Sequence, residues 1–390
     1  MPDARLSPAG VDGANPGNGP RVLIVRLGAM GDVIHALPAV ALLRQVLPEA
    51  RIGWLIEERW RELLCAPGVQ PAGDPGEKCP PGRPLVDEVH LVDIRAWRKR
   101  PFSPSVQRSF LSAIAHVRSR RYDCALEMQG AIKSALLARL SGARLVVGFQ
   151  HPREALARLG YGKRVETRAA HVIDQNLELA RAWLEMNGLP RSNACLPPDR
   201  TLPTDIPLLP RHALSEARID SVLESMGLAE AKLAILNPGA GWAAKQWSPA
   251  RYGALAMALA ARGLTPVVNY GPEEDILASE VAVFSRGIAR PLPTTLSEFI
   301  ALARRAHLFV GGDTGPMHQA ALLGVKTLAV FGPTDPARNG PYWAATRTLR
   351  DPASTTSYSH RRTSDPGLEK LSVERVLAEV DALLQAGPQG

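Results

Sequence analysis

The sequence predicts an α/β protein built from two Rossmann-like, doubly wound domains. Three observations predict it: short apolar runs that each end in Gly or Pro, helical stretches between them, and a Pro-rich break near the middle of 390 residues. Short continuous apolar runs read as strands buried on both faces, as parallel sheets require. Their alternation with helices is the pattern of βαβ units. A chain of this length exceeds one ordinary domain of roughly 100–200 residues and suits two.

Residues 1–20 hold many breakers and no apolar periodicity, and are expected to form a disordered tail. The fold starts at Arg21 with the run Val22–Val25, a Gly-containing turn at Gly28–Gly31 and a helix from Asp32 to about Val46. Arg51–Glu58 reads as the second strand, which completes a βαβ unit. Residues 66–84 are dense in Pro and Gly and read as a surface insertion. Strand-like VDEVHLVD and CALEMQ follow, and a second Pro-rich stretch over 189–212 reads as the interdomain linker. The expected domains are therefore 21–200 and 201–390, the second closing with a helix. In that half LAILNPG, PVVNYG, LFVGGD and TLAVFG are strands, separated by helices near 251–262, 275–285, 296–305 and 318–323.

Composition sets several classes aside. The hydrophobic fraction of 45% and charged fraction of 22% are those of a soluble globular chain. No apolar run approaches the ~18–20 residues that span a bilayer, and no secretory signal is visible. Cys65, Cys79, Cys124 and Cys195 are spaced like no zinc or disulfide framework, so reduced thiols in a cytoplasmic protein are expected. The formal net charge of +8 is unevenly placed. Residues 1–204 hold 28 basic and 20 acidic side chains, whereas 205–390 hold 18 of each. Such asymmetry suggests a polyanionic partner for the first half alone.

Four constellations carry chemistry, each at the end of a predicted strand, where doubly wound sheets bind ligands. Gly28-Ala29-Met30-Gly31-Asp32 matches neither G-x-G-x-x-G nor a P-loop. Asp32 there is either a helix cap or a general base facing an acceptor hydroxyl. Gly311–His318 (GGDTGPMH) is a turn leading into a helix, and Thr314, Gly315 and His318 supply the groups a diphosphate needs. Asn237–Gly241 (NPGAG) precedes Lys245, either a solvated lysine or a point charge for a phosphate. Gly271-Pro272-Glu273-Glu274 offers a carboxylate, either to a ribose diol or to the first turn of the next helix. Arg95–Arg121 contains eight basic and no acidic residues, a solvated face or an anion-binding one. Within it Val106, Phe110, Ile114 and Val117 share one helical side, which faces either a membrane surface or the core.

Taken together these residues resemble the ADP-heptose glycosyltransferases of bacterial lipopolysaccharide synthesis, glycosyltransferase family 9. The likeness spans about residues 21–385 and rests on RVLIVRLGAMGDVIHALPA, WLIEE, RAWRKRPFS, QGAIKSALLARL, REALARLGYGKR, KQW, GGDTGPMHQAALLG and VFGPTDPARNGPY. Within the family, RAWRK and REALA are similar to the members that add the first heptose.

The resemblance implies a GT-B architecture, two domains facing a central cleft, with the acceptor on the N-terminal domain and the nucleotide sugar on the C-terminal one. It implies inverting, metal-independent and cofactor-free transfer from ADP-L-glycero-D-manno-heptose to the inner Kdo of Kdo2-lipid A, by a cytoplasmic enzyme peripheral to the inner membrane. On it Asp32 is the catalytic base. Lys245, Glu274 (with Glu273 an adjacent rival), Asp313, Thr314, Gly315 and His318 bind the donor. Arg26, Arg95, Arg98, Lys99, Lys133 and Arg153 bind the acceptor's carboxylates and phosphates. Two departures stand out: Ala240 and Gly241 where relatives carry two threonines, and Arg26 where a lysine is common. A related transferase acting on a later core position is the nearest rival. A nucleotide-binding Rossmann protein of the NAD type, with Glu57 or Glu58 at its ribose, is a second. A nucleic-acid binder is disfavoured, because few aromatics interleave with the basic run.

Overall fold

The computed structural model describes residues 19–65, 76–78, 85–189, 200, 207–357 and 365–386, the backbone alone for 76–78. The expected tail lies outside these except for its last two residues, and the expected insertion except for 76–78. The chain divides into two compact units. One takes Met1–Gly28, His35–Ala169 and Ile173–Cys195; the other takes Ala29–Ile34, Ala170–Val172 and Leu196–Gly390. The main division thus falls in the Pro-rich stretch, and two short segments of the first half cluster with the second unit.

The first unit is built on a seven-stranded sheet. Its strands are β1 (Arg21–Val25), β2 (Arg51–Glu57), β3 (Gly76–Lys78), β4 (Glu88–Val92), β5 (Cys124–Glu127), β6 (Leu145–Phe149) and β7 (Lys163–Val165). The spatial order is β3-β4-β2-β1-β5-β6-β7, parallel except for β3 at the edge. Val22–Val25 in the centre are wholly buried, which is why the run lacks polar alternation. The order reverses between β1 and β5, the switch point at which such sheets bind ligands. Helix α1 (Met30–Val46) follows β1, and α2 (Ile94–Lys99) and α3 (Pro104–Ser119) follow β4. Helix α4 (Ile132–Leu140) follows β5.

The apolar side of α3 belongs to the core: Ile114 and Val117 are buried and Phe110 stands edge-on to Trp97, ring centroids 4.7 Å apart. Burial at about 25 cal/mol per Å² of apolar surface fixes that side inward. The cysteines differ from expectation. Cys65 is disulfide-bonded, whereas Cys124 is a buried free thiol. Spacing along the chain does not report which thiols the fold brings together.

The second unit has a wholly parallel six-stranded sheet: β8 (Leu233–Asn237), β9 (Thr265–Tyr270), β10 (Arg290–Pro293), β11 (Ala306–Gly312), β12 (Lys326–Phe331) and β13 (Thr346–Arg350), in the order β10-β9-β8-β11-β12-β13. Alternate residues of β8 enter opposite core layers. Ala234 and Leu236 pack with Trp247, Tyr252 and the C-terminal helix Val373–Gln385, and Leu233 and Ile235 with Phe299, Phe309 and Met317. Because all strands run one way, the loops after β8, β9 and β11 emerge at the same sheet edge, and β8 and β11 flank the switch point.

Candidate active site

The turn after β11 is organised around Asp313. Lys245 Nζ lies 2.6 Å from its Oδ2, and His318 Nε2 lies 3.4 Å from its Oδ1. The Lys245 ammonium also stands 4.6 Å over the Trp242 ring. Burial alone would push the Asp313 carboxyl up. The hydrogen bond with His318 and the Lys245 charge outweigh it and hold the group well below the usual carboxylate range. Thr314 is the N-cap of the helix Gly315–Leu322, with Pro in its first turn, and its side chain makes no capping bond. That terminus with its positive dipole end therefore meets a lysine and a histidine already fixed by one carboxylate, an arrangement suited to a diphosphate.

Asp32 stands beside this turn. Its segment, Ala29–Ile34, clusters with the second unit. A Cβ placed on Gly31 would lie 2.9 Å from His318 Cδ2, and one on Gly315 would overlap Met30 Sδ. Only glycine at both places lets the first turn of α1 approach the helix Gly315–Leu322 so closely. Asp32 Oδ2 accepts a long 3.3 Å bond from Ala29 N, so the carboxylate also serves its helix terminus.

Between the two adjacent glutamates the structure is specific. Glu274 Oε2 accepts from Gly271 N at 3.0 Å, and its carboxylate lies against Gly239 in the loop after β8. Glu273 takes the left-handed conformation, with φ of 67°. A largely buried chain holds the loop's shape: Thr294 Oγ1 donates to Asn269 Oδ1, Asn269 Nδ2 to Asn237 Oδ1, and Asn237 Nδ2 to Gly239 O. Sequence reasoning found one end of this network, Asn237 and Gly239, but not Asn269 or Thr294, which no motif marks.

The basic residues of the first unit are disposed differently. Arg26 is buried at the end of β1, and Lys133 on α4 lies 4.0 Å from Glu57 at the end of β2. Glu57 is buried and also bound by Arg59 at 2.6 Å. Its carboxylate is thus committed to cations, which weakens the reading of Glu57 as a ribose-binding acid. Arg153 is exposed beside the turn after β5, its N within 2.9 Å of where a Gly130 Cβ would be. Arg95, Arg98 and Lys99 are exposed on α2, a separate short helix capped by Asp93. The structure thus places Lys133 and Arg153 about one turn, with the other three on another element.

Sequence reasoning missed the residues that shape that turn. Glu127, wholly buried, accepts from Gln129 N, Gly130 N and the Tyr161 hydroxyl. Burial raises its pKa, against the lowering effect of those bonds. Gln129 Oε1 accepts from Leu27 N at 2.8 Å, tying the turn to the loop that leads to Asp32. A polar Glu at the end of an apolar strand was the available signal.

A second polar group lies between β4 and α3, where Glu88, His90 and His116 bring ligand-type atoms within 4.8 Å of one another. Arg120 Nη2 lies 2.6 Å from Glu88 Oε1, so the carboxylate already has its counter-charge. His90 shares a 2.6 Å hydrogen bond with Tyr122 Oη and is pushed down to about 3, by burial first and then by His116 and Arg120.

The family model for glycosyltransferase family 9 (heptosyltransferase) matches residues 110–366. Lipopolysaccharide heptosyltransferase 1 of Pseudomonas aeruginosa is 27% identical over 331 residues, 83% of this chain and 81% of that protein. Among solved structures, E. coli heptosyltransferase WaaC with ADP superposes with a TM-score of 0.69 at 23% identity, covering 93% of this chain and 99% of that one. E. coli ADP-heptose lps heptosyltransferase II gives 0.67 at 22% identity, covering 94% and 98%.

Proposed function

The chain belongs to glycosyltransferase family 9 and is a glycosyltransferase; on that premise we propose that it transfers L-glycero-D-manno-heptose from the ADP sugar to the inner Kdo of Kdo2-lipid A. The observation that carries the reading is the Lys245–Asp313–His318 group at a helix N-terminus, with the first turn of α1 packed against it.

The chemistry follows from these positions. The acceptor hydroxyl oxygen attacks the anomeric carbon as the bond from that carbon to the diphosphate oxygen breaks, inverting the centre. The hydroxyl proton passes to Asp32, a contribution of ~10²–10⁴-fold. ADP leaves with growing negative charge, stabilised by Lys245, His318 and the helix terminus at Thr314–Gly315, fixed before the reaction begins. Glu274, against Gly239, holds the ribose diol. These groups supply the charge stabilisation that a metal supplies elsewhere, so transfer needs no metal or other cofactor, and full activity in excess EDTA checks this. Arg26, Arg95, Arg98, Lys99, Lys133 and Arg153 meet the acceptor's carboxylates and phosphates. That anionic acceptor, rather than nucleic acid, accounts for the basic half.

Among the described residues no helix is long and apolar enough to cross a membrane. A lipid acceptor therefore calls for peripheral contact, at the cytoplasmic face of the inner membrane. The likeness to heptosyltransferase II keeps a later core position as the second reading. Purified protein given ADP-heptose with Kdo2-lipid A, and separately with the mono-heptosylated product, decides between them. Turnover of the second acceptor alone overturns the first-heptose assignment.

A further inference from the structure

We propose that the exposed patch formed by Ile132, Leu136, Leu156 and Leu159 docks the first unit on an anionic bilayer. The inference rests on the reading that the acceptor is a lipid. Single exposed aliphatics are ordinary on a protein surface. Here four belong to two elements that pack together. Ile132 and Leu136 are one turn apart on α4, 46% and 55% exposed. Leu156 and Leu159 are three apart on the 3-10 helix Ala155–Gly160, a spacing that stacks side chains, and are 62% and 74% exposed. Gly160 packs against Ala135 of α4, and Glu154 Oε2 accepts from Ile132 N at 2.8 Å, which joins the two pairs into one surface.

Charge points to the occupant. Residues 131–168 hold eight basic side chains and two acidic ones, and exposed Lys133, Arg139, Arg153 and Arg158 interleave with the four aliphatics. Apolar side chains ringed by Lys and Arg fit the boundary between acyl chains and anionic headgroups. A soluble anion would have no use for the leucines, and an apolar protein partner none for the arginines. Lys133 and Arg153 are shared with the acceptor-binding set, so a lipid headgroup held there stands at the edge of the docked surface. The sequence left the apolar side of α3 open between a membrane surface and the core, and the core takes it up.

The test uses the full-length protein with phosphatidylcholine vesicles, with and without phosphatidylglycerol. Wild type should sediment with the anionic vesicles. Leu136→Ser/Leu159→Ser should partition roughly tenfold less or weaker still. Arg139→Glu/Arg158→Glu should lose the preference for phosphatidylglycerol. Both variants should keep transfer to a water-soluble, deacylated acceptor and lose it on vesicle-embedded acceptor. No partitioning by wild type, unchanged partitioning of both variants, or a wild-type dimer that the leucine variant dissociates would each overturn the docking surface. Failure of wild type to use either acceptor would count against the acceptor reading alone, because vesicle partitioning is measured without turnover.

Discussion

The two units carry positive charge in opposite ways. In the second, the side chains of Lys245, His318 and Asp313 are only 14%, 7% and 9% exposed, and each is fixed by another. In the first, Lys133 and Arg153 are 48% and 64% exposed, with acidic neighbours no nearer than 4.0 and 3.9 Å. The first arrangement is assembled before a ligand arrives and suits a small, invariant diphosphate. The second keeps its cations hydrated and adjustable, which suits a bulky anionic partner and makes them sensitive to salt.

Substitutions sharpen that contrast. The largest effect is expected from Asp313→Ala, which leaves Lys245, only 14% exposed, without its counter-charge. Breaking such a pair costs about 3–5 kcal/mol, so the second unit should unfold at much lower urea, with donor binding lost. An unchanged midpoint would show that the pair is not preorganised. Asp32→Asn should slow transfer by ~10²-fold or more with donor affinity nearly intact. If more than about a tenth of the activity remains, the carboxylate is only the cap that its bond to Ala29 N suggests.

A smaller effect is expected from pH. The folded state holds His90 neutral, whereas the unfolded chain protonates it below its ordinary value near 6.5. The unfolded state then binds more protons, so stability falls as pH drops from about 6.5 toward 3, by about 1.4 kcal/mol per unit. His90→Gln should remove that part of the slope in urea titrations. An identical slope in the variant would assign the titration elsewhere. Asp313 acts in the same direction, its contribution present above the unfolded carboxylate range and lost as pH falls. The smallest effects belong to the exposed cations. Arg98→Ala or Arg153→Ala should each raise the acceptor KM a few-fold, within about 1 kcal/mol, leaving the donor KM unchanged. A single such change that abolishes turnover would place that arginine in a preorganised site after all.

Much of the fold was legible because buried parallel strands leave a local mark. Val22–Val25, the runs before Asn237 and Asp313, and the glycines after them announce strand, turn and helix in order. The chemical types at the donor turn were legible for the same reason, since they are contiguous in sequence. What sequence could not supply was partnership at a distance. Glu273 and Glu274 are equivalent in a string, and only the fold turns one of them against Gly239. The inward side of α3 carries the same apolar spacing a membrane helix would. Glu127 reads as one more residue of CALEMQ, although three backbone and side-chain donors converge on it. The disulfide at Cys65 and the docking of Ala29–Ile34 in the second unit likewise depend on long-range approach.

That last feature bears on modularity. Families with two units invite exchange of one half for a homologue's, and the Pro-rich stretch ending near Leu196 is the obvious seam. A second half transplanted at that seam would arrive without residues 29–34, and the recipient's counterpart of that segment would have to cover the surface beside Gly315 and His318. Whatever stands in place of Met30 and Gly31 would have to fit a foreign helix with no space for one additional methyl group. Chimeras of this enzyme should therefore tolerate a changed sugar nucleotide only when this hexapeptide travels with the half it serves.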